Sequence, residues 1–188
     1  MHISRVMFIA AVLLMTTVML FAGGGQEEPA ATTTPATNSL GSNRVEIDTN
    51  WGVSWQFLEG EIEFTMWAPT TGWLSIGFNP SRAMRDAAYI LAYVDNGNVS
   101  IREDFGTGNT AHRADTSLGG TEQVRATAFK EEGGTTYITF VLPLDSGDEH
   151  DVVFTPGETY TLLAAYSGNG SKNFTAPHRA RKALQITL

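Results

Sequence analysis

The sequence predicts an all-β protein, built as an antiparallel sandwich or barrel. From Val45 onward, short runs alternate apolar and polar residues with a period of two, as half-buried strands do. Gly, Pro, Asn and Asp bound these runs at regular spacing. Beyond the N-terminal apolar segment, no window longer than a couple of turns shows a helical period. A length of 188 residues with 42% hydrophobic residues suits one domain with a real core.

Residues 1–22 are predicted to be a signal peptide. His2 and Arg5 precede an apolar run at residues 6–21, and Ala22 with the glycines after it supplies small residues for cleavage. Export to the periplasm or the cell exterior follows from this interpretation. The competing interpretation is an uncleaved membrane anchor, since about sixteen apolar residues fall just short of the usual spanning length.

Residues 23–43 are predicted to be a disordered linker, because GGGQEEPAATTTPATNSLGSN is rich in Gly, Thr, Ala and Pro and has almost nothing to bury. The folded domain is therefore predicted to occupy residues 44–188. A linker of this kind is either a membrane tether for that domain or a simple spacer.

Seven segments show the strand pattern. In the first, Ile62, Phe64 and Met66 fall on one face and polar residues on the other. The third is apolar throughout, as a central strand would be, and Asp95-Asn96-Gly97-Asn98 forms a strong hairpin turn after it. The predicted strands are EIEFTMWA, WLSIGF, AYILAYV, VSIRED, TTYITFVL, TYTLLAAY and ALQITL (residues 61–68, 73–78, 88–94, 99–104, 135–142, 159–166 and 183–188).

Charge and cysteine content exclude several functional classes. The formal net charge is −8 and the basic residues are scattered, which argues against nucleic acid or an anionic membrane surface as a partner. The absence of cysteine excludes disulfides, cysteine metal sites and covalently attached haem. The chain contains no Gly-x-Ser-x-Gly, Walker or His-Glu-x-x-His motif, so a non-enzymatic role is predicted.

The order of several motifs resembles the DOMON domain family over about residues 45–188. These motifs are GWLSIGFNP, a following Met, DAAYILAYVDNGNVSIREDF, HRADTSLGG, ITFVLPLDSGDEHD and HRARK before the last strand. The resemblance implies an immunoglobulin-like β-sandwich of about ten strands in a secreted or membrane-tethered protein. It also implies a ligand, either haem b or a sugar-like molecule.

The resemblance further implies that Met84 and His178 are the axial ligands of a non-covalently bound haem b. A thioether and an imidazole together fill both axial positions of the iron, which suits electron transfer to a redox partner. Arg179 and Arg181 beside His178 are suitable partners for the haem propionates. The alternatives are that Met84 fills a core and that His178 is an exposed residue of a basic loop.

His112 is a further candidate, as a second haem ligand or as a residue lining the pocket. Its neighbour Asp115, three residues on, suggests a metal site instead, to which His150 with Asp148 and Asp151 could add ligands. These segments are equally typical of polar loops.

Four tryptophans within 23 positions support a second class of function, carbohydrate or small-ligand binding without haem: Trp51, Trp55, Trp67 and Trp73. Large aromatics on alternating strand positions also form cores. Trp67 shares its strand face with Glu61 and Glu63, so it is predicted to face outward, towards a sugar or as a wall of a haem pocket. A third class, a sandwich that mediates only protein contacts, has no specific feature in its favour.

Overall fold

A computed structural model describes residues 43–188 of the protein. The predicted signal peptide and all of the predicted linker except Asn43 lie outside the described residues. The described residues form eleven strands, β1 (Arg44–Asp48), β2 (Trp51–Phe57), β3 (Glu61–Ala68), β4 (Leu74–Phe78), β5 (Ala88–Asp95), β6 (Asn98–Gly108), β7 (Ala111–Ala114), β8 (Arg125–Glu132), β9 (Thr135–Pro143), β10 (Thr159–Ser167) and β11 (His178–Thr187). One turn of 3-10 helix, Asp115–Ser117, follows β7.

The strands make two antiparallel sheets that pack face to face. One sheet has five strands in the order β1-β2-β3-β9-β8, and the other has six in the order β11-β10-β4-β5-β6-β7. The predicted all-β sandwich is therefore confirmed, with eleven strands where about ten were expected. Within residues 43–188, no helix is long and apolar enough to cross a bilayer.

The predicted hairpin turn joins β5 to β6. Asp95 pairs with Asn98, and both residues between them have a positive φ, 49° at Asn96 and 75° at Gly97. Two successive positive φ values define the type I′ turn, for which Asn-Gly is the preferred sequence because it matches the twist of the flanking strands. The turn thereby fixes the register of the central hairpin of the six-stranded sheet.

Alternate residues of both sheets fill one core between them. Phe64 lies 5.4 Å from Phe78 on the opposite sheet and 5.8 Å from Phe140 on the neighbouring strand, measured between ring centroids. Phe154 packs onto both Phe64 and Phe78 from the connection between β9 and β10. Rings at these separations contribute beyond their burial of area, so this cluster anchors the two sheets to each other.

Candidate functional site

A second apolar cluster lies on the outer face of the six-stranded sheet. On β5, Ile90 points into the core between the sheets, whereas Tyr89 and Leu91 point to the opposite face. We call the group on that face the outer cluster: Ala87, Tyr89 and Leu91, with Met84, Leu163 and Phe174 packed against them. These contacts leave Ala87, Tyr89 and Leu91 at most 7% exposed, so side chains of the protein itself cover this part of the sheet.

Glycine on β4 allows Tyr89 to lie flat on the sheet. Gly77 pairs with Tyr89, and a Cβ at Gly77 would lie 2.3 Å from the tyrosine ring. Burial raises the pKa of the Tyr89 hydroxyl, which therefore stays protonated as a hydrogen-bond donor. The position of the Tyr89 ring against the sheet therefore requires glycine at position 77, because the Cβ of any other residue would clash with the ring.

Met84 is half-buried in the connection between β4 and β5. A tight turn holds it, in which the Ser81 amide donates to the Arg85 carbonyl at 3.0 Å. The turn includes two non-glycine residues with positive φ, Ala83 at 55° and Asp86 at 63°. Conformations of this kind store strain and persist only where surrounding contacts enforce them, which is common at functional sites.

The last strand carries His178, Arg179 and Arg181, all of them exposed. In the pairing with β10, Arg181 opposes Ala165 and His178 opposes Ser167. A register shift at this point leaves Arg179 as the extra residue of a bulge. Directly opposite residues share a face, so His178 and Arg181 lie on the same face of the sheet as the outer cluster.

Met84 and His178 lie at opposite ends of that face. Met84 belongs to the connection that leaves β4 at Phe78, whereas the partner of His178, Ser167, donates its amide to Trp73, just before β4 begins at Leu74. The four steps from Leu74 to Phe78 correspond to about 13 Å along the strand. The thioether and the imidazole therefore approach one sheet face from its two ends.

A buried ion-pair network borders the outer cluster. The Asp104 carboxylate is fully buried and accepts hydrogen bonds from Arg102 Nε at 2.5 Å and Nη2 at 2.8 Å. His112 Nδ1 lies 2.5 Å from the same carboxylate, and its ring is 6.0 Å from that of Tyr89. The Arg102 guanidinium also lies 4.9 Å above the Phe174 ring. Asp104 thus fixes the orientation of His112 at the edge of the cluster.

Comparison with known families adds to this geometry. A family model described as DOMON domain matches residues 47–167. The chain belongs to the DOMON domain family. The predicted family is therefore confirmed, and the match includes Met84 but ends before His178.

Two solved structures share the fold of this DOMON domain. One is the cytochrome b domain of pyranose dehydrogenase from Coprinopsis cinerea, with a TM-score of 0.56 and 14% identity over 78% of this chain and 81% of that chain. The other is the cytochrome domain of Myriococcum thermophilum cellobiose dehydrogenase, with a TM-score of 0.56 and 12% identity over 77% and 80% of the two chains. At these identities the similarity concerns the fold alone.

Trp67 lies on the other sheet of the DOMON domain, away from the outer cluster. It points outward from β3, as the alternation predicts, yet only 4% of it is exposed. The Arg44 guanidinium covers its ring at 4.2 Å, and the backbone of Gly52 lies against the ring's other atoms. The structure therefore does not bring Trp67 together with Met84 or His178.

The other three tryptophans, Trp51, Trp55 and Trp73, are buried as well. A stacking platform for a sugar ring needs an exposed aromatic face, which none of these four side chains presents. The sequence-based argument for carbohydrate binding depended on an exposed tryptophan, and none of these four is exposed.

Sequence reasoning missed the charged residues of β6. Arg102 and Asp104 point to the outer cluster, and Glu103 points into the end of the core between the sheets. Glu103 accepts hydrogen bonds from the amides of Gln123 and Val124, at 2.5 and 3.2 Å. Burial raises the pKa of Glu103 to about 7. In the sequence, the only indication was that charged residues fall on both faces of this strand, with Arg102 and Asp104 on one face and Glu103 on the other.

Proposed function

We propose that this protein is an exported b-type haem protein that carries single electrons, with Met84 and His178 as axial ligands. The observation that carries the proposal is the arrangement of a thioether and an imidazole at the two ends of one apolar sheet face. In this proposal Met84 would supply a sulfur ligand and His178 a nitrogen ligand to an iron held between the two ends of that face.

The face between these residues has the composition that a flat apolar group requires. Tyr89 and Leu91 line it on β5, and Leu163 lines it on β10. Small residues stand on the same face of the neighbouring strands, namely Ser75, Gly77, Ala165 and Ala183. Met84 and Phe174 pack over Tyr89 and Leu91, which are 7% and 3% exposed, so binding of a planar group would require these two side chains to move.

Polar residues on the border of this face have distinct roles in the proposal. Arg181 provides a cation on this face, where it can pair with a propionate group, whereas the Arg179 side chain packs against Gly168 just after β10. His112 contacts Asp104 through Nδ1, which orients its ring at the border of the face and leaves Nε2 free; the proposal assigns it to the pocket wall and gives the axial position to His178. Arg102 is likewise committed to Asp104 and stacks on Phe174, which closes the far end of the cluster.

Met84 and His178 would hold haem b, which would supply one-electron chemistry between its ferric and ferrous states. The chain's own residues therefore bind and orient the group and exclude water from it. The role that follows is transfer of electrons to a redox partner protein, not catalysis.

The proposed location is outside the cytoplasm. Support comes from the apolar segment at residues 6–21 and from the linker composition of residues 23–43, which would let the domain reach a partner at a distance from a membrane. N-terminal sequencing of protein recovered outside the cytoplasm checks this. A mature chain that begins near Gly23 is expected, whereas a chain retained in the cytoplasm with an intact N-terminus contradicts export.

The ligand assignment is tested by titrating the full-length protein and three variants with haemin. Met84→Leu keeps apolar volume and removes only the sulfur, so it should bind haem but lose the low-spin ferrous spectrum. His178→Ala should bind haem weakly or not at all. His112→Gln should retain six-coordinate iron, since this residue is not a ligand in the proposal. If His112→Gln loses the ligand signature and His178→Ala keeps it, the imidazole has been assigned to the wrong residue.

A further inference from the structure

A second cluster of polar side chains lies where two loops meet at one end of the sandwich. Asp115 begins the 3-10 turn after β7, and Asp148 and His150 belong to the connection between β9 and β10. One donor atom of each residue lies within 4.8 Å of the donor atoms of the other two. The three side chains therefore converge on one point although they come from different sheets.

Asp115 is buried without the hydrogen bonds that a carboxylate needs. Only 1% of the residue is exposed, and neither of its side-chain oxygens accepts a hydrogen bond. His150 Nδ1 makes a close ion-pair contact with Asp115 Oδ1 at 2.6 Å, whereas Asp115 Oδ2 has no polar partner. Buried polar atoms are nearly always satisfied, so this orphaned oxygen points to a missing partner.

The backbone around Asp115 is shaped to hold the carboxylate in this position. A Cβ at Gly120 would lie 2.0 Å from Asp115 Oδ2, so only glycine fits there. The amides of Leu118 and Gly120 donate to the Asp115 carbonyl, at 2.8 and 3.2 Å, and fold the turn around it. The side chain is therefore aimed at His150 by a rigid local structure.

Negative charge at this point exceeds the positive charge available to balance it. Within residues 43–188, neither lysine nor arginine lies within ion-pair distance of Asp115, Asp148 or Asp151. The single imidazole among three carboxylates therefore leaves an excess of negative charge, which a bound divalent cation would balance.

We propose that Asp115, Asp148 and His150 bind one divalent transition-metal ion, of which Zn²⁺ is the representative, through two carboxylate oxygens and the imidazole Nδ1. Imidazole suits Zn²⁺ and its neighbours rather than Mg²⁺ or Ca²⁺, and carboxylate oxygens are accepted ligands of Zn²⁺. Tetrahedral ligands at about 2.0 Å from Zn²⁺ stand about 3.3 Å apart. Asp115 Oδ1 and His150 Nδ1, now 2.6 Å apart, would therefore have to move apart by less than about 1 Å to bind the ion.

Asp148 is already positioned as a ligand. Its Oδ2 accepts a hydrogen bond from the Thr121 amide at 2.8 Å, and its Oδ1 accepts one from the His150 amide at 3.0 Å. The Thr121 hydroxyl donates a second hydrogen bond to Oδ2 at 3.3 Å, so the lone pair that remains available to an ion is on Oδ1. The Phe105 ring packs against the His150 ring at 4.7 Å and limits its rotation. Fixed orientation of this kind is typical of metal ligands.

The ion would act as a structural clip. Asp115 follows the edge strand β7 of the six-stranded sheet, whereas Asp148 and His150 follow β9 of the five-stranded sheet. Binding would tie these loops together and stabilise the folded state in proportion to the free ion concentration.

The test uses the full-length protein, stripped with a chelator and titrated with Zn²⁺ by calorimetry. One ion per chain is expected, with a rise in Tm of about 5–10 °C when free Zn²⁺ exceeds Kd a hundredfold. Asp115→Asn and His150→Gln keep the side-chain size and should abolish both the heat and the rise in Tm. Asp145→Asn is the matched control, because it lies exposed in the same loop as Asp148 and should bind Zn²⁺ like the wild type.

Three results would overturn the proposal. The first is wild-type protein that shows neither heat nor a change in Tm with Zn²⁺ or Mn²⁺. The second is Zn²⁺ binding that survives in both Asp115→Asn and His150→Gln, which would place the ion elsewhere. The third is a response to Ca²⁺ but not to Zn²⁺, which would refute the assigned class of ion. None of these outcomes depends on haem, so the proposed electron-transfer function is tested separately.

Discussion

Glu103 makes the stability of the protein depend on pH in a way that one substitution should remove. The residue is 3% exposed, and burial raises its pKa from 4.5 to about 7. Because the folded-state pKa lies above the unfolded-state value, the folded protein holds the proton more tightly between pH 4.5 and 7. Stability contributed by the protonated carboxyl is therefore fully present below about pH 4.5 and is lost as the pH rises to about 7.

The size of the effect follows from the shift in pKa. A rise of about 2.5 corresponds to about 3 kcal/mol at 1.36 kcal/mol per unit. Glu103→Gln keeps an oxygen that can accept the hydrogen bonds of Gln123 and Val124, and it cannot ionise. At pH 8 the variant should be more stable than the wild type by about 3 kcal/mol, or about 6–12 °C in Tm. At pH 4.5 the two proteins should unfold alike.

Urea unfolding of both proteins at intervals from pH 4.5 to 8 measures this difference directly. Groups distant from Glu103 contribute equally to both proteins and cancel in the comparison, whereas the repulsion of Glu103 by Asp151 and Glu122 is part of the measured difference. The exposed Glu158→Gln is the control and should track the wild type at every pH. If the free energy of unfolding depended on pH in the same way in Glu103→Gln and in the wild type, the claim that ionisation of Glu103 destabilises the folded protein would be refuted.

Two other substitutions test the outer cluster. Gly77→Ala should destabilise the protein by about 1–3 kcal/mol, since the new Cβ meets the Tyr89 ring at 2.3 Å; a denaturant midpoint equal to that of the wild type would show that the ring is not held there. Asp104→Asn should cost about 1.5–3 kcal/mol in urea unfolding, because it removes the buried charged acceptor of Arg102, whose own side chain is 32% exposed. Asp95→Asn is its control and should cost less than about 1 kcal/mol, because its pair with Lys172 is exposed; equal losses in the two variants would mean that burial at Asp104 has no energetic weight.

Most strands with one buried face could be predicted from the sequence, but the inner strand β2 was missed although Trp51, Val53 and Trp55 are buried; three of the four edge strands, β1, β7 and β8, were missed as well. The seven predicted segments correspond to β3, β4, β5, β6, β9, β10 and the second half of β11. In β8, all residues except Ala126 are exposed, so no alternation marks its sequence. The strands β1 and β7 are short edge strands whose residues are exposed or half-buried, and they lack the signal for the same reason.

The candidate site required information that a single sequence does not contain. That Met84 and His178 share one sheet face depends on the pairing of β10 with β4 and β11, which joins residues far apart in the chain. Alternation correctly predicts that Trp67 points outward, but Arg44 on a separate strand covers it. Closeness in the sequence suggested that His112 acts together with Asp115, three residues on. In the structure, His112 instead contacts Asp104.

The central claim is that this DOMON domain binds haem b between Met84 and His178. The most direct test is the visible absorption spectrum of the full-length protein, purified after expression with haem supply and recorded oxidised and reduced. A Soret band with the features of six-coordinate, low-spin iron in both states is the predicted result. A folded protein that stays colourless after expression and after reconstitution with haem would contradict the claim.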